Sequence, residues 1–327
     1  MLVALPSAIA FGITIFAPLG SDFGARGALA GMLGVTALGL VAASFGGTQR
    51  LISAPCAPAA AVLSALTIQM SQAGSNPHAI VLALFLVAIA ASVFQILFGA
   101  LKIGRLIKFM PYPVVSAYLS GVGLIIIFSQ IPKWLALPKA MNWFDGLLRP
   151  DLWQMPSLLI GASTALAMVM APKVTKRVPP VIQGLIAGVL VYWGLAFAAY
   201  PELQGLDRNT LVIGPLAADL SGLAQSISSP WQSLSAMALP RWDQWLVPAL
   251  TLAVLLSIDT LKTCVVLDAL TGSRHNSNKE LIGQGLGNLA STLIGGSPGA
   301  GTMGATLVNK DRKSTRLNSS HAHISYA

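Results

Sequence analysis

Charge is scarce in this sequence: Asp, Glu, Lys and Arg make up 9% of its 327 residues, where a soluble domain carries about a quarter. That shortage excludes an ordinary water-facing surface. There are only two cysteines, Cys56 and Cys264, both inside apolar blocks and without paired spacing. Neither a disulfide framework nor a zinc site is expected from them, and they read as small buried hydrophobes. Histidine is equally sparse at four residues, which leaves little material for general acid–base chemistry.

What is abundant is apolar. Hydrophobic residues make up 54% of the chain and mean hydropathy is +0.71. They come in blocks of roughly 17–23 residues, the length that spans a ~30 Å hydrocarbon core. The blocks lack the charged face of a helix packed on a soluble core. The chain therefore reads as an all-α polytopic membrane protein, with the lipid bilayer as its main solvent. A formal net charge of +9 would suggest nucleic acid in a soluble protein. Here Lys and Arg are expected in cytoplasmic loops, so nucleic-acid binding is not expected.

Candidate spans are Leu2–Leu19, Gly27–Phe45, Ala54–Met70, Ile80–Leu101, Val114–Ile131, Ser157–Ala171, Val181–Ala199, Leu246–Leu267 and Glu280–Ile294, with a tenth opening near Pro298. Three short loops are basic: Lys102, Arg105 and Lys108 after the fourth span, Lys173, Lys176 and Arg177 after the sixth, Arg274 and Lys279 after the eighth. Ser71–His78, after the third, has no Lys or Arg. Alternating the spans puts the basic loops on one face, read as the cytoplasm of a bacterial inner membrane, together with the N-terminus. Two long loops, about Pro132–Met155 and Tyr200–Trp245, then face outward.

The ends have their own signatures. The first span opens at Met1 with no segment before it and reads as clipped. From Lys310 to Ala327 the chain turns abruptly polar, so 310–327 is set aside from fold reasoning as a foreign tail, with His321 and His323 in it. The remainder, 1–309, reads as one transmembrane domain.

Two spans open on helix-hostile sequence: Ser53-Ala54-Pro55-Cys56-Ala57-Pro58-Ala59, and Gly295-Gly296-Ser297-Pro298-Gly299-Ala300-Gly301-Thr302-Met303-Gly304. Such Pro and Gly density delays the helix until mid-membrane, where irregular backbone is tolerated only against protein or a water-filled cavity. A helix starting there points unpaired N–H groups and about half a positive charge into the cavity. Two of them make an anion site. Gly299-x-Gly301-x-x-Gly304 matches the dinucleotide-binding spacing, but the strand–turn–helix unit and downstream acid it needs are not foreseen. Gly27-x-x-x-Gly31 and Gly283-x-x-x-Gly287 read as close helix contacts. The eighth span carries Asp259 and Lys262 in apolar surroundings, a costly placement that calls for pairing or binding. Asp259 and Thr263, four apart, share a helix face and suit a hard cation such as sodium, or Asp259 carries a proton. The bland alternative is an Asp259–Lys262 ion pair.

These residues resemble the sulfate permease (SulP) family of anion transporters. The matching stretches are Leu5-Pro6-Ser7-Ala8-Ile9-Ala10-Phe11, Ser53-Ala54-Pro55, Val212-Ile213-Gly214-Pro215, and above all Ser257-Ile258-Asp259, Asn276-Ser277-Asn278-Lys279-Glu280-Leu281-Ile282-Gly283-Gln284-Gly285 and Pro298-Gly299-Ala300-Gly301. Within the family the chain is most similar to the sodium-dependent bicarbonate transporters of cyanobacteria. The resemblance implies fourteen spans in two inverted seven-span repeats, a core domain moving against a gate domain, a STAS domain after the last span, and often a homodimer. On that template the first repeat covers about 1–200 and the second begins at about 244–309, stopping after the tenth span opens; the STAS domain is absent. Ala54, Cys56, Ala57 and Ala59, with Ala300, Gly301 and Thr302, would face the anion. Asp259 and Thr263, with Gly301, Thr302 and Met303, would hold the coupling ion, a possible sodium. The chain departs from the family pattern at Ser7, where Gln is common, at Ala305, where many members carry Arg, and at Lys262, apolar in the bicarbonate transporters.

The expected function is secondary transport of a small inorganic anion, bicarbonate ahead of sulfate, with sodium or proton coupling. Alternatives are a proton-coupled sulfate or dicarboxylate transporter, an anion channel, and a nucleobase permease of the same architecture. An enzyme is not expected: outside the tail only His78 and His275 remain, on opposite sides of the membrane, with no acid–base pair apparent.

Overall fold

The computed structural model describes residues 3–20, 23–109, 143–174, 180–205 and 242–309, with isolated positions between 113 and 141, at 178, at 211–212 and between 224 and 231. The chain forms two compact units, one of residues 1–111 and 216–327, the other of 112–215.

The first unit carries the site. Its elements in chain order are α1 (Leu5–Phe16), α2 (Gly24–Phe45), β1 (Ser53–Pro55), α3 (Ala57–Gln72) and α4 (Pro77–Ala100). In the second unit come α5 (Trp143–Leu147), α6 (Met155–Val174) and α7 (Pro180–Ala198), with α6 packed on α7. The first unit resumes with α8 (Trp242–Thr271), α9 (Ser277–Leu293), β2 (Gly299–Gly301) and a helical segment at 303–309.

Local sequence sets the helix ends. Asn76 caps α4 by accepting from the His78 N–H at 2.9 Å, with Pro77 in the first turn; the missing Pro N–H costs nothing there. Asn276 caps α9 by accepting from Lys279 N–H at 3.1 Å. Among the described residues four helical stretches are long and apolar enough to cross a membrane: Gly24–Phe45, Pro77–Ala100, Met155–Lys173 and Trp245–Thr271.

Glycine lets the helices approach. A Cβ on Gly27 would lie 2.7 Å from the Gly12 carbonyl oxygen, and one on Gly31 would collide with that of Ala8, so α1 and α2 meet backbone to backbone, as the Gly27-x-x-x-Gly31 spacing predicts. Gly283 and Gly287 do the same for α9, against Gly46 and against Leu38 and Ala42 of α2. Behind these contacts an apolar core of Ile15, Leu63, Val87, Leu252, Ala253 and Leu256 joins α1, α3, α4 and α8.

Eight of the nine complete spans foreseen coincide with helices to within a few residues. The third starts later than expected: Ser53–Pro55 is a strand and α3 begins only at Ala57. Its 16 residues reach about 24 Å at 1.5 Å each, less than a bilayer core. The fold is mostly helical, as expected; among the described residues it also holds one two-stranded antiparallel sheet, β1 with β2, in the register Ser53↔Gly301, Ala54↔Ala300, Pro55↔Gly299. Most of the fifth span, Val114–Ile131, and all of 310–327 lie outside the described residues, as do Ile213-Gly214-Pro215.

Candidate functional site

The strand pair is the centre of the first unit. β1 leads into α3 and β2 into the segment at 303–309, so both helices begin where a strand stops, at opposite ends of the pair. Their positive N-terminal ends point back at it. The expectation of facing helix starts is met with one modification: three residues of paired backbone lie between them. At the α3 start Cys56 is extended (φ −136°, ψ 163°) and offers no side-chain cap. Ala54, Cys56, Ala59, Ala300 and Gly301 are buried, and Ala57, Thr302 and Met303 partly so.

Two helices suspend β2 by their side chains. Asn288 of α9 takes both polar groups of Gly299: the Gly299 N–H donates to Asn288 Oδ1 at 2.7 Å and Asn288 Nδ2 donates to the Gly299 carbonyl at 2.9 Å. From α8, Thr260 Oγ1 accepts from the Gly301 N–H at 3.0 Å and Thr263 Oγ1 donates to the Gly301 carbonyl at 2.9 Å. The Thr302 N–H donates to the Ile52 carbonyl at 2.8 Å. A Cβ on Gly299 would collide with the Ala54 carbonyl, so the crossing tolerates only glycine there.

Behind the strands α9 presents a buried polar ladder. Glu280 accepts from the Gly47 N–H at 2.8 Å and from Gln284 Nε2 at 2.9 Å. Gln284 also donates to Ser53 Oγ at 2.5 Å, and Asn288 donates to Gln95 Oε1 of α4 at 2.7 Å. Glu280, Gln284 and Asn288 recur every fourth residue and so share one helix face. That spacing was the available sequence signal for these residues and for their work on the strands, which the sequence reading did not assign; Thr260 had no comparable signal.

Asp259 meets Lys262: the ammonium lies 2.5 Å from Asp259 Oδ1, with the Lys262 side chain 5% and that of Asp259 14% exposed. Thr263, fully buried, shares its one hydroxyl proton between the Asp259 and Gly301 carbonyls, each 2.9 Å from Oγ1. The Cys56 thiol lies in the field of both Asp259 and Lys262 and meets the backbone of Ala59 and Ala300. The residues expected to bind the anion and those expected to bind the coupling ion therefore form one cluster.

A hard cation needs several oxygen atoms turned towards one point. Here the carboxylate faces an ammonium, and the Thr263 hydroxyl and Gly301 carbonyl face each other. As arranged, these residues do not fit a sodium ion.

Other features stand apart. A cavity of about 50 Å³ is bounded by Ile15, Arg26, Phe85, Thr292 and Ser297 among others; it is mostly apolar and includes none of the expected site residues. His275 does have an acidic partner, contrary to expectation. Its Nδ1 lies 2.6 Å from Asp268 Oδ2, and Nε2 lies 2.9 Å from Ser277 Oγ. Asp268 also accepts from the His275 N–H at 2.9 Å, and Ser277 is buried, so the three side chains tie down the α8–α9 connection. Among the described residues no group of His, Cys, Asp and Glu could hold a metal ion.

The sulfate permease family model matches residues 1–315. The bicarbonate transporter BicA of Picosynechococcus sp. is 36% identical over 318 residues, covering 94% of this chain and 51% of that protein. A putative sulfate transporter of Bacillus subtilis, YvdB, is 25% identical over 287 residues, covering 85% and 49%. The chain thus spans about half the length of the curated relatives it matches. Among solved structures, the transmembrane domain of a cyanobacterial BicA superposes with a TM-score of 0.66 at 30% identity, over 93% of this chain and 75% of that one. These neighbours are membrane transporters with an inverted-repeat fold, and none is an enzyme. The chain belongs to the sulfate permease family.

Proposed function

We propose that this chain is the transmembrane part of a secondary transporter that moves a small inorganic anion, bicarbonate in preference to sulfate, by alternating access across a bacterial inner membrane. The observation that carries the proposal is the pair of helix starts converging on a strand crossing walled by small side chains, Ala54, Ala59 and Ala300. Two helix ends supply about one positive charge in total, which balances a monovalent anion. Sulfate would want a second. Lys262 does not provide it, because Asp259 takes up its charge, and residue 305 is alanine. The similarity to BicA, a bicarbonate transporter, supports the same preference.

Asp259 and Thr263 are the proposed seat of coupling. Two cations compete for Asp259: a proton from solution and the ammonium of Lys262. A nucleobase permease would place an acid where it could hydrogen-bond a heterocycle, and the β2 stretch has none. A channel would need no coupling acid.

The test is uptake of radiolabelled bicarbonate and sulfate by the full-length protein in proteoliposomes. Saturable bicarbonate uptake several-fold above sulfate uptake is expected. Sulfate uptake equal to or faster than that of bicarbonate would refute the charge argument.

A further inference from the structure

The ion pair at the centre of the site is made by two residues of one helix. Asp259 and Lys262 stand three apart on α8, and helical side chains lean towards the N-terminus, so the lysine folds back onto the carboxylate. With its side chain only 5% exposed, Lys262 is largely withdrawn from solvent, and a carboxylate at this depth requires a positive partner. Within the pair the two charges cancel. Sodium added to it would leave one net positive charge in a poorly polarisable interior, so sodium can enter only as the ammonium leaves. The other two oxygens that a sodium ion would use, Thr263 Oγ1 and the Gly301 carbonyl, are joined to each other at 2.9 Å. They also hold β2 in place.

We infer that the Lys262 ammonium is the resident cation of the Asp259 site, so that the protein moves its anion without sodium and Lys262 is the residue that sets this independence. Breaking a buried ion pair by withdrawing one partner is costly enough to weaken sodium binding by roughly two to three orders of magnitude. Replacing Lys262 by methionine keeps an unbranched side chain, one atom shorter and uncharged, and leaves the carboxylate without its ammonium partner. Sodium then becomes the available counter-charge, and a sodium requirement appears. The transport consequence rests on the transporter reading above; the binding consequence does not.

The test uses the full-length protein in two assays. In the first, thermal unfolding in detergent is followed in sodium chloride against choline chloride, which reads sodium binding whether or not the protein transports. The wild type is expected to show no sodium-specific stabilisation, whereas Lys262→Met is stabilised by sodium in a saturable way. Lys262→Gln is the second variant should methionine prevent folding, and Asp259→Asn/Lys262→Met, with neither charge, should be indifferent to sodium. In the second assay, bicarbonate uptake should be unchanged by sodium in the wild type and rise at least fivefold with sodium in the Lys262 variant. A wild type stabilised or driven by sodium would overturn the inference, as would Lys262 variants that fold and ignore sodium. Absence of anion uptake by any folded protein, with the sodium-binding pattern intact, would instead refute the transporter reading and leave the cation assignment standing.

Discussion

Asn288 is the residue on which the strand crossing most depends. One carboxamide satisfies both the N–H and the C=O of Gly299 and also reaches Gln95. Asn288→Ala would leave buried polar groups unpaired, at about 1–3 kcal/mol for each. A loss of stability on the order of 2–4 kcal/mol is expected, with weaker bicarbonate binding, read by thermal unfolding and by the half-saturating concentration for uptake. Unchanged unfolding would mean that Gly299 has another anchor. The contrast with Lys262 shows what single residues reveal in a sequence. A charged pair at i, i+3 in an apolar run announces itself, because its cost demands a partner. Asn288 and Thr260 are ordinary polar residues whose partners, Gly299 and Gly301, are brought to them only by the fold.

At the scale of elements, the glycine-rich opening of the tenth span looks like a dinucleotide motif and behaves as a backbone crossing. A Cβ on Gly299 would strike the Ala54 carbonyl, whereas one on Gly304 meets nothing within 4 Å. Gly299→Ala should therefore destabilise the protein by about 1–3 kcal/mol or more, while Gly304→Ala should change it by less than about 0.5 kcal/mol. A nucleotide loop would not separate the two glycines in this way. On α2, Gly31→Leu should be as damaging as Gly299→Ala, because it forces α1 away at Ala8. Thermal unfolding of the three variants side by side checks the set. The helices themselves were legible in length and hydropathy, and the Gly27–Gly31 contact in its spacing. The strand pair was not. Ser-Ala-Pro and Gly-Ala-Gly have low strand propensity, and their pairing joins segments from opposite ends of the described chain. The Pro and Gly that mark them signal only that a helix cannot start there.

For the whole molecule, the alternation of basic and uncharged loops predicts that Arg105 and Arg274 share the cytoplasmic face while His78 lies outside. Single cysteines at these three positions, labelled with a membrane-impermeant thiol reagent in intact cells, should react only at position 78. The reverse pattern would invert the topology. The central claim is that a small anion sits where the two helix starts converge on the β1–β2 pair. Cys56, at the start of α3 and 4% exposed, is a native probe of that place. The most direct measurement is the rate at which a small permeant maleimide modifies Cys56 in the full-length Cys264→Ala protein, followed by mass spectrometry of the Cys56 peptide. Bicarbonate should slow the modification saturably, and sulfate at equal ionic strength should do so far less. Modification at one rate whether bicarbonate is present or absent would contradict the account.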